Sequence, residues 1–559
     1  MSFALSAGVT GLQAHQKMLD VAGNNLANVN TTGFKASRIT FSELLSQTIK
    51  KASQPTSAIG GTNPQQMGSG VGIAGISLNM QQGNIVNTGN PLDLAIEGEG
   101  YFVLSDGSKN VYTRAGAFAV DAESYLVDPS TGYRVRRIGS VGVSEGFQTA
   151  GDGNVKVPYD VAMAAKPTSR VVLAGNLSAD ASLATAQTQK LSSNIKFTSG
   201  GDAATSGTFL TDLDQYTSGT LSSAVIKVTG YTPDGTPVTD TTGMSVTSTT
   251  TLGDVLSYIE SKLGSSNVSA SLSSGKIVVT DKNSGYSRSD VVMTFENDGT
   301  AKLTMPAYFE LSTVGGEEVK NVSTTVYDSL GGKHVLSGAF VRTTAPNTWD
   351  MVLTSISGNV TSITPDNRRI RSIEFDATNG SYAGLNTTVG DTAQFVVTFA
   401  HDTSSPQTIA MDFGTVGQLN GLTQFSGNST AVAREQDGYE AGRLATVSVD
   451  NSGVLIGAFS NGIKKNIATI QIALFQNTSG LESVGSGYFI PSANSGEAVA
   501  TQAMTGGAGS VHGGALEKSN ADVASEFVNM IQAQNGFQAN ARTIRVANDI
   551  LRELTGLIR

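Results

Sequence analysis

The sequence predicts an α+β, multidomain fold: an α-helical coiled coil made from the two chain termini, with nested mainly-β domains inserted between them. Three observations predict it. Apolar residues recur every seven positions at both ends of the chain, the period of helices packed side by side. The long middle is rich in Gly, Ser, Thr and Val and alternates between apolar and polar residues, as strands do. At 559 residues the chain is also too long for one domain.

The first helix rests on Leu5, Leu12, Leu19 and Leu26, seven apart, with no proline before Pro55. It runs into Asn24, Asn25, Asn28 and Gly33, residues suited to ending a helix and turning the chain. His15, three residues after Leu12, is read as a packing residue on this seam.

Residues 35–70 read as a linker with a short helix around Phe41 to Lys51, then an extended stretch with Pro55, Gly60-Gly61 and Pro64. The Gly60-Gly61 pair marks an expected flexible joint. Gly70-x-Gly72-x-x-Gly75 fits the dinucleotide fingerprint, but the alternating Ile76, Leu78 and Met80 follow it. A nucleotide site needs a helix N-terminus there, so the match carries no cofactor.

Residues 71–150 plus 437–510 read as one β-rich middle domain. Leu92, Leu94 and Ile96 alternate with Asp93, Ala95 and Glu97; Tyr101–Leu104 and Val111–Arg114 flank a turn at Asp106-Gly107. Near the far end, Leu444–Val449, Val454–Ile456 and Ala468–Leu474 match them in texture. The stretch 155–436 is an outer β-rich insert, with a sub-domain at 195–300. There Leu252, Val255, Leu256, Ile259 and Leu263 trace one helix face.

The last helix is expected over residues 515–559, joining residues 1–34 in a terminal helical domain. Its seam is Leu516, Val523, Met530, Phe537, Ile544, Leu551 and Ile558, widened by Phe527. Acidic residues lie toward its start and Arg542, Arg545, Arg552 and Arg559 toward its end, which suits the helix dipole.

Catalysis finds no foothold. The four histidines are scattered, and no nucleophile turn or phosphate loop is present. With no cysteine, disulfides, thiol catalysis and cysteine-bound metals are excluded. No catalytic, cofactor-binding or metal-binding residue is assigned, and the cofactor expectation is none. The net charge of −10, without any basic run, argues against nucleic acid. No apolar run is long enough for a membrane helix, and the N-terminus lacks a basic, then apolar, leader.

Particular stretches carry a resemblance. Asn24-Asn25-Leu26-Ala27-Asn28-Val29-Asn30-Thr31-Thr32-Gly33-Phe34-Lys35 resembles the N-terminal signature of the flagellar rod and hook axial protein family. Leu516-Glu517-Lys518-Ser519-Asn520-Ala521-Asp522-Val523, with Phe527-Val528-Asn529-Met530-Ile531, resembles its C-terminal signature. Asn90–Phe102 and Thr113-Arg114-Ala115-Gly116 resemble the same family. Rod members lack a large insert, so the length points to the hook branch.

The resemblance implies a self-assembling, flexible hollow tube linking rod to filament and transmitting torque. The terminal helices would form its inner layer. Implied partners are other copies of itself, the rod, hook-cap and hook–filament junction proteins, and the flagellar export apparatus. The implied location is the extracellular flagellum, continuous with the basal body, reached without a cleaved signal peptide. Another axial protein, of distal rod or junction type, is the alternative, followed by a phage-tail or adhesin fibre. In such a tube the uncharged run from Phe527 to Ala541 is notable. Gln532, Gln534, Asn535, Gln538 and Asn540 read as a neutral amide lining for the export channel, where fixed charges would hold passing chains.

Overall fold

The computed structural model describes residues 3–57, 59–159, 161–180, 186–386 and 392–557. It is mostly β, with a helix near each end of the chain. Two compact units emerge: Met1–Met163 with Gly442–Arg559, and Ala164–Ala441.

In the first unit, α1 (Phe3–Ala27) is followed by strands where a linker helix was expected. Ser37–Glu43 pairs antiparallel with Val71–Leu78, and Ser46–Lys50 pairs with Gln65–Gly68. Residues 37–78 are therefore one long hairpin. Gly60-Gly61 lies beside the Ser53–Thr62 bridge near the hairpin tip. The local text around Phe41 is helix-compatible, but Ile39, Thr40, Phe41 and Ile49 also suit a strand, and the partner strands decide.

Chain halves far apart in sequence share sheets in this unit. Tyr101–Ser105 pairs with Asn110–Thr113 on one side and with Ile472–Leu474. Leu94–Glu97 pairs with Ser510–Gly513, and Ile85–Asn87 with Ala515–Glu517. A second sheet holds Gly442–Val449, Val454–Phe459 and Lys464–Ile470 beside Arg137–Ile138. Tyr101, Tyr112, Phe475 and Phe489 meet edge-to-face at ring distances of 4.9–5.8 Å in one core cluster.

In the second unit, α2 (Leu252–Leu263) buries the five residues of the expected helix face. Thr251 and Asp254 form a capping box at its start, satisfying two free backbone donors. The core around α2 extends outside 195–300, taking in Leu191, Phe309, Leu311 and Val352. A neighbouring core is built on Trp349, Phe340, Phe395 and Phe413. The five-stranded sheet from Val319–Tyr327 to Tyr382–Leu385 supplies much of it. The strands expected at Ile370–Phe375 and Phe395–Phe399 are present as Arg369–Phe375 and Gln394–Phe399.

This unit is entered and left through one neck. Lys166 and Tyr439 exchange backbone hydrogen bonds of 2.9 and 3.0 Å. Asp437 accepts from the Lys166 ammonium (2.8 Å), from the Ser169 hydroxyl and from the backbone N–H groups of Ser169 and Arg170. Burial pushes the Asp437 carboxyl up. The donors outweigh it and hold the group far below the ordinary carboxylate value.

Candidate functional site: the terminal segments and their anchor

The last helix, α3, is Val523–Leu557. At 1.5 Å per residue it is about 52 Å long against about 38 Å for α1. The start expected at 515 is wrong. Ala515–Glu517 is a strand paired with Ile85–Asn87, so Leu516 belongs to a sheet rather than to the helix seam. Asp522 caps α3 by accepting from the N–H groups of Ala524 and Ser525. Ile558 lies outside the described residues.

The two terminal helices pack antiparallel on one another. Asn25 lies by Glu526, His15 by Gly536, Gly11 by Asn540, and Gly8 by Ile544. The centre of this seam is made of small residues. Gly8, Gly11, Ala14, Ala22 and Asn25 are the buried positions of α1; Ala533 and Ala547 are those of α3. A Cβ on Gly11 would come within 2.7 Å of the Asn540 side chain, and one on Gly8 within 3.0 Å of Ile544. Leu5, Leu12, Leu19 and Leu26 flank the seam, half-buried, rather than forming its centre. His15 packs in the seam, with its ring 6.4 Å from that of Phe41.

Most of α3 faces away from α1. Met530, Phe537 and Ile544 are half-buried, but Val523, Phe527 and Leu551 are exposed. Val528, Ile531, Val546, Ile550 and Leu554 are exposed as well, each by half or more of its surface. Of the amides, Gln532, Gln534, Asn535 and Gln538 are exposed. Asn540 is not free on that face: it packs over Gly11 and donates to the Gly536 carbonyl. The hairpin adds further apolar surface at Leu45, Ile49, Ile73 and Ile76.

A buried polar joint holds these elements. Glu517 accepts from Lys35 at 2.7 Å and Arg114 at 3.4 Å, and from the backbone N–H of Gly83 at 2.8 Å. Lys35 also donates to the Gln81 carbonyl, and Arg114 to the carbonyls of Ile96 and Gly98. Burial pulls the Lys35 ammonium below its ordinary value; Glu517 opposes that fall and Arg114 adds to it. Gly33 closes the joint from above. It donates to the Glu517 carbonyl, and its φ of +67° and its approach to the Ala115 nitrogen leave no room for a side chain.

Two asparagines complete the anchor. The Asn25 amide donates to the Ser37 carbonyl and Glu526 carboxylate and accepts from the Ser37 N–H. Asn520 donates to the carbonyls of Asn79 and Gln81 and accepts from the Ala36 N–H. Asn28 donates to the Asn24 carbonyl, closing the last turn of α1. The resembling signatures are thus largely the residues of this joint. Sequence reasoning quoted Lys35, Arg114 and Glu517 without giving them roles. The available signal was a charged residue inside each of the three resembling stretches.

Among the described residues no group of three His, Asp or Glu side chains is placed to hold a metal, and no helix is long and apolar enough to cross a membrane.

Four family models match along the chain. They are the flagella basal body rod protein (5–35), the flagellar hook protein FlgE/F/G D1 domain (95–165), the flagellar basal body protein FlaE D2 domain (301–439) and the flagellar basal body rod FlgEFG protein C-terminal (512–557). The flagellar hook protein FlgE of Borreliella burgdorferi is 30% identical over 568 residues, with 100% of both chains covered. That of Treponema pallidum is 30% identical over 566 residues, again with 100% of both covered. That of Escherichia coli is 27% identical, covering 99% of this chain and 100% of the other. Full-length identity at this level, on top of the buried joint built from the signature residues, shows that the chain belongs to the flagellar hook proteins and is a structural subunit of the hook.

Proposed function

We propose that this subunit polymerises into a flexible hollow tube whose inner wall is made of the α1–α3 pairs. The observation that carries the reading is the second apolar face of α3. Phe527, Val528, Ile531, Val546 and Ile550 are each about half exposed in one chain. Each is already half-covered, so full burial contributes on the order of 1 kcal/mol per residue, or roughly 5 in all. Association costs about 4–15 kcal/mol. A single neighbour is therefore marginal, and several are needed at once. Head-to-tail contacts that do not close on themselves supply several neighbours and produce a helical tube.

The same balance keeps single subunits apart until a growing end offers several contacts together. The rod, hook-cap and junction proteins are the implied neighbours at the ends, with the flagellar export apparatus as the route out and no signal peptide cleaved. The exposed amides Gln532, Gln534, Asn535 and Gln538 are proposed to line the channel. Removal of residues 523–559 tests the reading. Electron microscopy should show hollow tubes from the full chain and none from the truncated one. Tubes from the truncated chain would sink the proposal.

A further inference from the structure

Asp328-Ser329-Leu330-Gly331-Gly332 turns the chain between the strands Val319–Tyr327 and Lys333–Arg342. The turn is built on one carboxylate. Asp328 Oδ1 accepts from the backbone N–H groups of Leu330 at 2.9 Å and Gly332 at 2.7 Å. Gly331 then lies against the neck: a Cβ there would come within 2.8 Å of Ala165 and 3.3 Å of the Ala441 nitrogen. Tyr327, just before the turn, accepts from the Thr168 N–H and donates to the Thr168 hydroxyl. The turn therefore braces both the incoming and the outgoing chain of the neck.

The other oxygen of this carboxylate faces two histidines. His334 Nε2 lies 2.9 Å from Oδ2, and His401 Nδ1 lies 3.7 Å from it. Asp328 and His334 are 5% and 8% exposed. The far nitrogen of His334, Nδ1, is 2.7 Å from the Ser357 carbonyl, and the ring stacks on Phe399 at 4.3 Å. A carbonyl oxygen only accepts, so Nδ1 carries hydrogen. Burial pushes the Asp328 carboxyl up, but His334, the two backbone donors and His401 outweigh it and hold it below its ordinary value. The carboxylate is therefore ionised and also only accepts, so Nε2 carries hydrogen as well. A ring that donates from both nitrogens is an imidazolium.

The geometry points to a proton-operated clasp: His334 grips Asp328 as a cation, and loss of its proton releases the Asp328–Gly332 turn from the neck. A neutral ring donates from one nitrogen only. Whichever it keeps, a lone pair then faces a buried acceptor, the Ser357 carbonyl or the Asp328 carboxylate, and that contact turns repulsive. His401 is the other titratable group on this carboxylate; its Nε2 is 3.0 Å from the Ser329 hydroxyl, and its ring is more open to solvent than that of His334. Lys333, next to His334, is paired with Glu440 at 3.2 Å. The clasp is thus closed in mild acid and opens as pH rises through the range where histidine loses its charge, about 5–8. It lies within one chain and is independent of the tube proposal.

Hydrogen exchange across Asp328–Gly332 in the full chain reads the clasp, once each rate is divided by the intrinsic exchange rate at that pH. Protection should fall between about pH 5 and 8. A fall of at least about tenfold is expected, the scale of one charge-assisted hydrogen bond. His334→Gln should show no such fall, and His401→Gln should keep it. Protection independent of pH in the parent chain, or a fall that survives His334→Gln and vanishes in His401→Gln, would overturn the inference. Nitrogen-15 spectra of the parent chain labelled at histidine give a second arm that needs no variant. Both His334 nitrogens should carry hydrogen while the turn is protected, and the second hydrogen should be lost in step with protection. Its loss with protection unchanged would equally overturn the clasp.

Discussion

Lys35 and Glu517, 482 positions apart in sequence, meet at 2.7 Å with side chains 1% and 0% exposed. Arg114 reaches the same carboxylate from the sheet. Three separate stretches of chain are thereby fixed at one point, just below the terminal helices. Removing one partner of such a pair leaves charge buried without compensation, which costs about 3–5 kcal/mol. Glu517→Ala should therefore unfold the unit of residues 1–163 and 442–559 at lower denaturant. Trp349, the sole tryptophan, is buried in the other unit. Its fluorescence transition should stay in place while the helical circular dichroism transition moves. Transitions that move together would contradict this account.

The same joint gives a pH signature. The folded pKa of Lys35 is lowered by burial, so between that value and the ordinary 10.5 the unfolded chain holds the extra proton. Stability of the unit rises with pH across this window. Glu517 opposes the lowering, so Glu517→Gln should widen the window downward. Titration from about pH 8 to 10 should stabilise Glu517→Gln more than the parent chain. Adding Lys35→Met should remove the difference.

Two glycines of the terminal helices should respond in opposite senses to an added side chain. A Cβ on Gly23 meets nothing within 4 Å. Gly23→Ala should stabilise α1 by about 0.8–1 kcal/mol, the difference in helix propensity. A Cβ on Gly536 runs into the His15 ring. There the propensity gain is set against an overpacking cost of about 1–3 kcal/mol, so Gly536→Val should loosen the seam. Hydrogen exchange across Phe3–Ala27 would report both changes. Equal protection in the two variants would rule out the small-residue seam as the determinant.

Acid should act on the neck of the second unit. Asp437 has a folded pKa held below its ordinary 3.8, so its contribution is complete above that value. It is lost as pH falls below about 4, where the unfolded chain takes up the proton first. Asp437→Asn should lower stability at neutral pH and flatten the acid limb of the Trp349 fluorescence titration. An acid limb as steep as the parent's would assign the acid response to other carboxylates.

Gln534→Lys or Gln538→Lys, at exposed positions of α3, should slow secretion of later subunits through the proposed channel while leaving the α1–α3 seam intact. Secretion assays on cells with assembled hooks give the measurement. Unaltered secretion would remove the channel-lining role.

The heptad of leucines in α1 was legible because a large apolar residue every seven positions marks a helix with one packed stripe. Its meaning was legible only in part. The helices touch through Gly8, Gly11, Ala22 and Gly536, and small residues leave no hydropathy signal, so the contact line fell one step away from the leucines. Leu516 extended the C-terminal heptad by spacing alone. The buried ion pair and strand pairing of Glu517 take that stretch into a sheet, and such long-range pairing is invisible to a local period. The same holds for residues 41–51, whose strand character comes from partners at 65–78. The strands at Tyr101–Ser105 and Gln394–Phe399 and the face of α2 were plain, since each carries its own alternation or its own 3.6 period.

The neck at Lys166 and Tyr439 has an evolutionary consequence. A segment whose two ends are hydrogen-bonded neighbours begins and ends at one point. Residues 164–441 can then be enlarged, trimmed or exchanged without redrawing the core that holds the helices, as a cassette is swapped on a fixed mount.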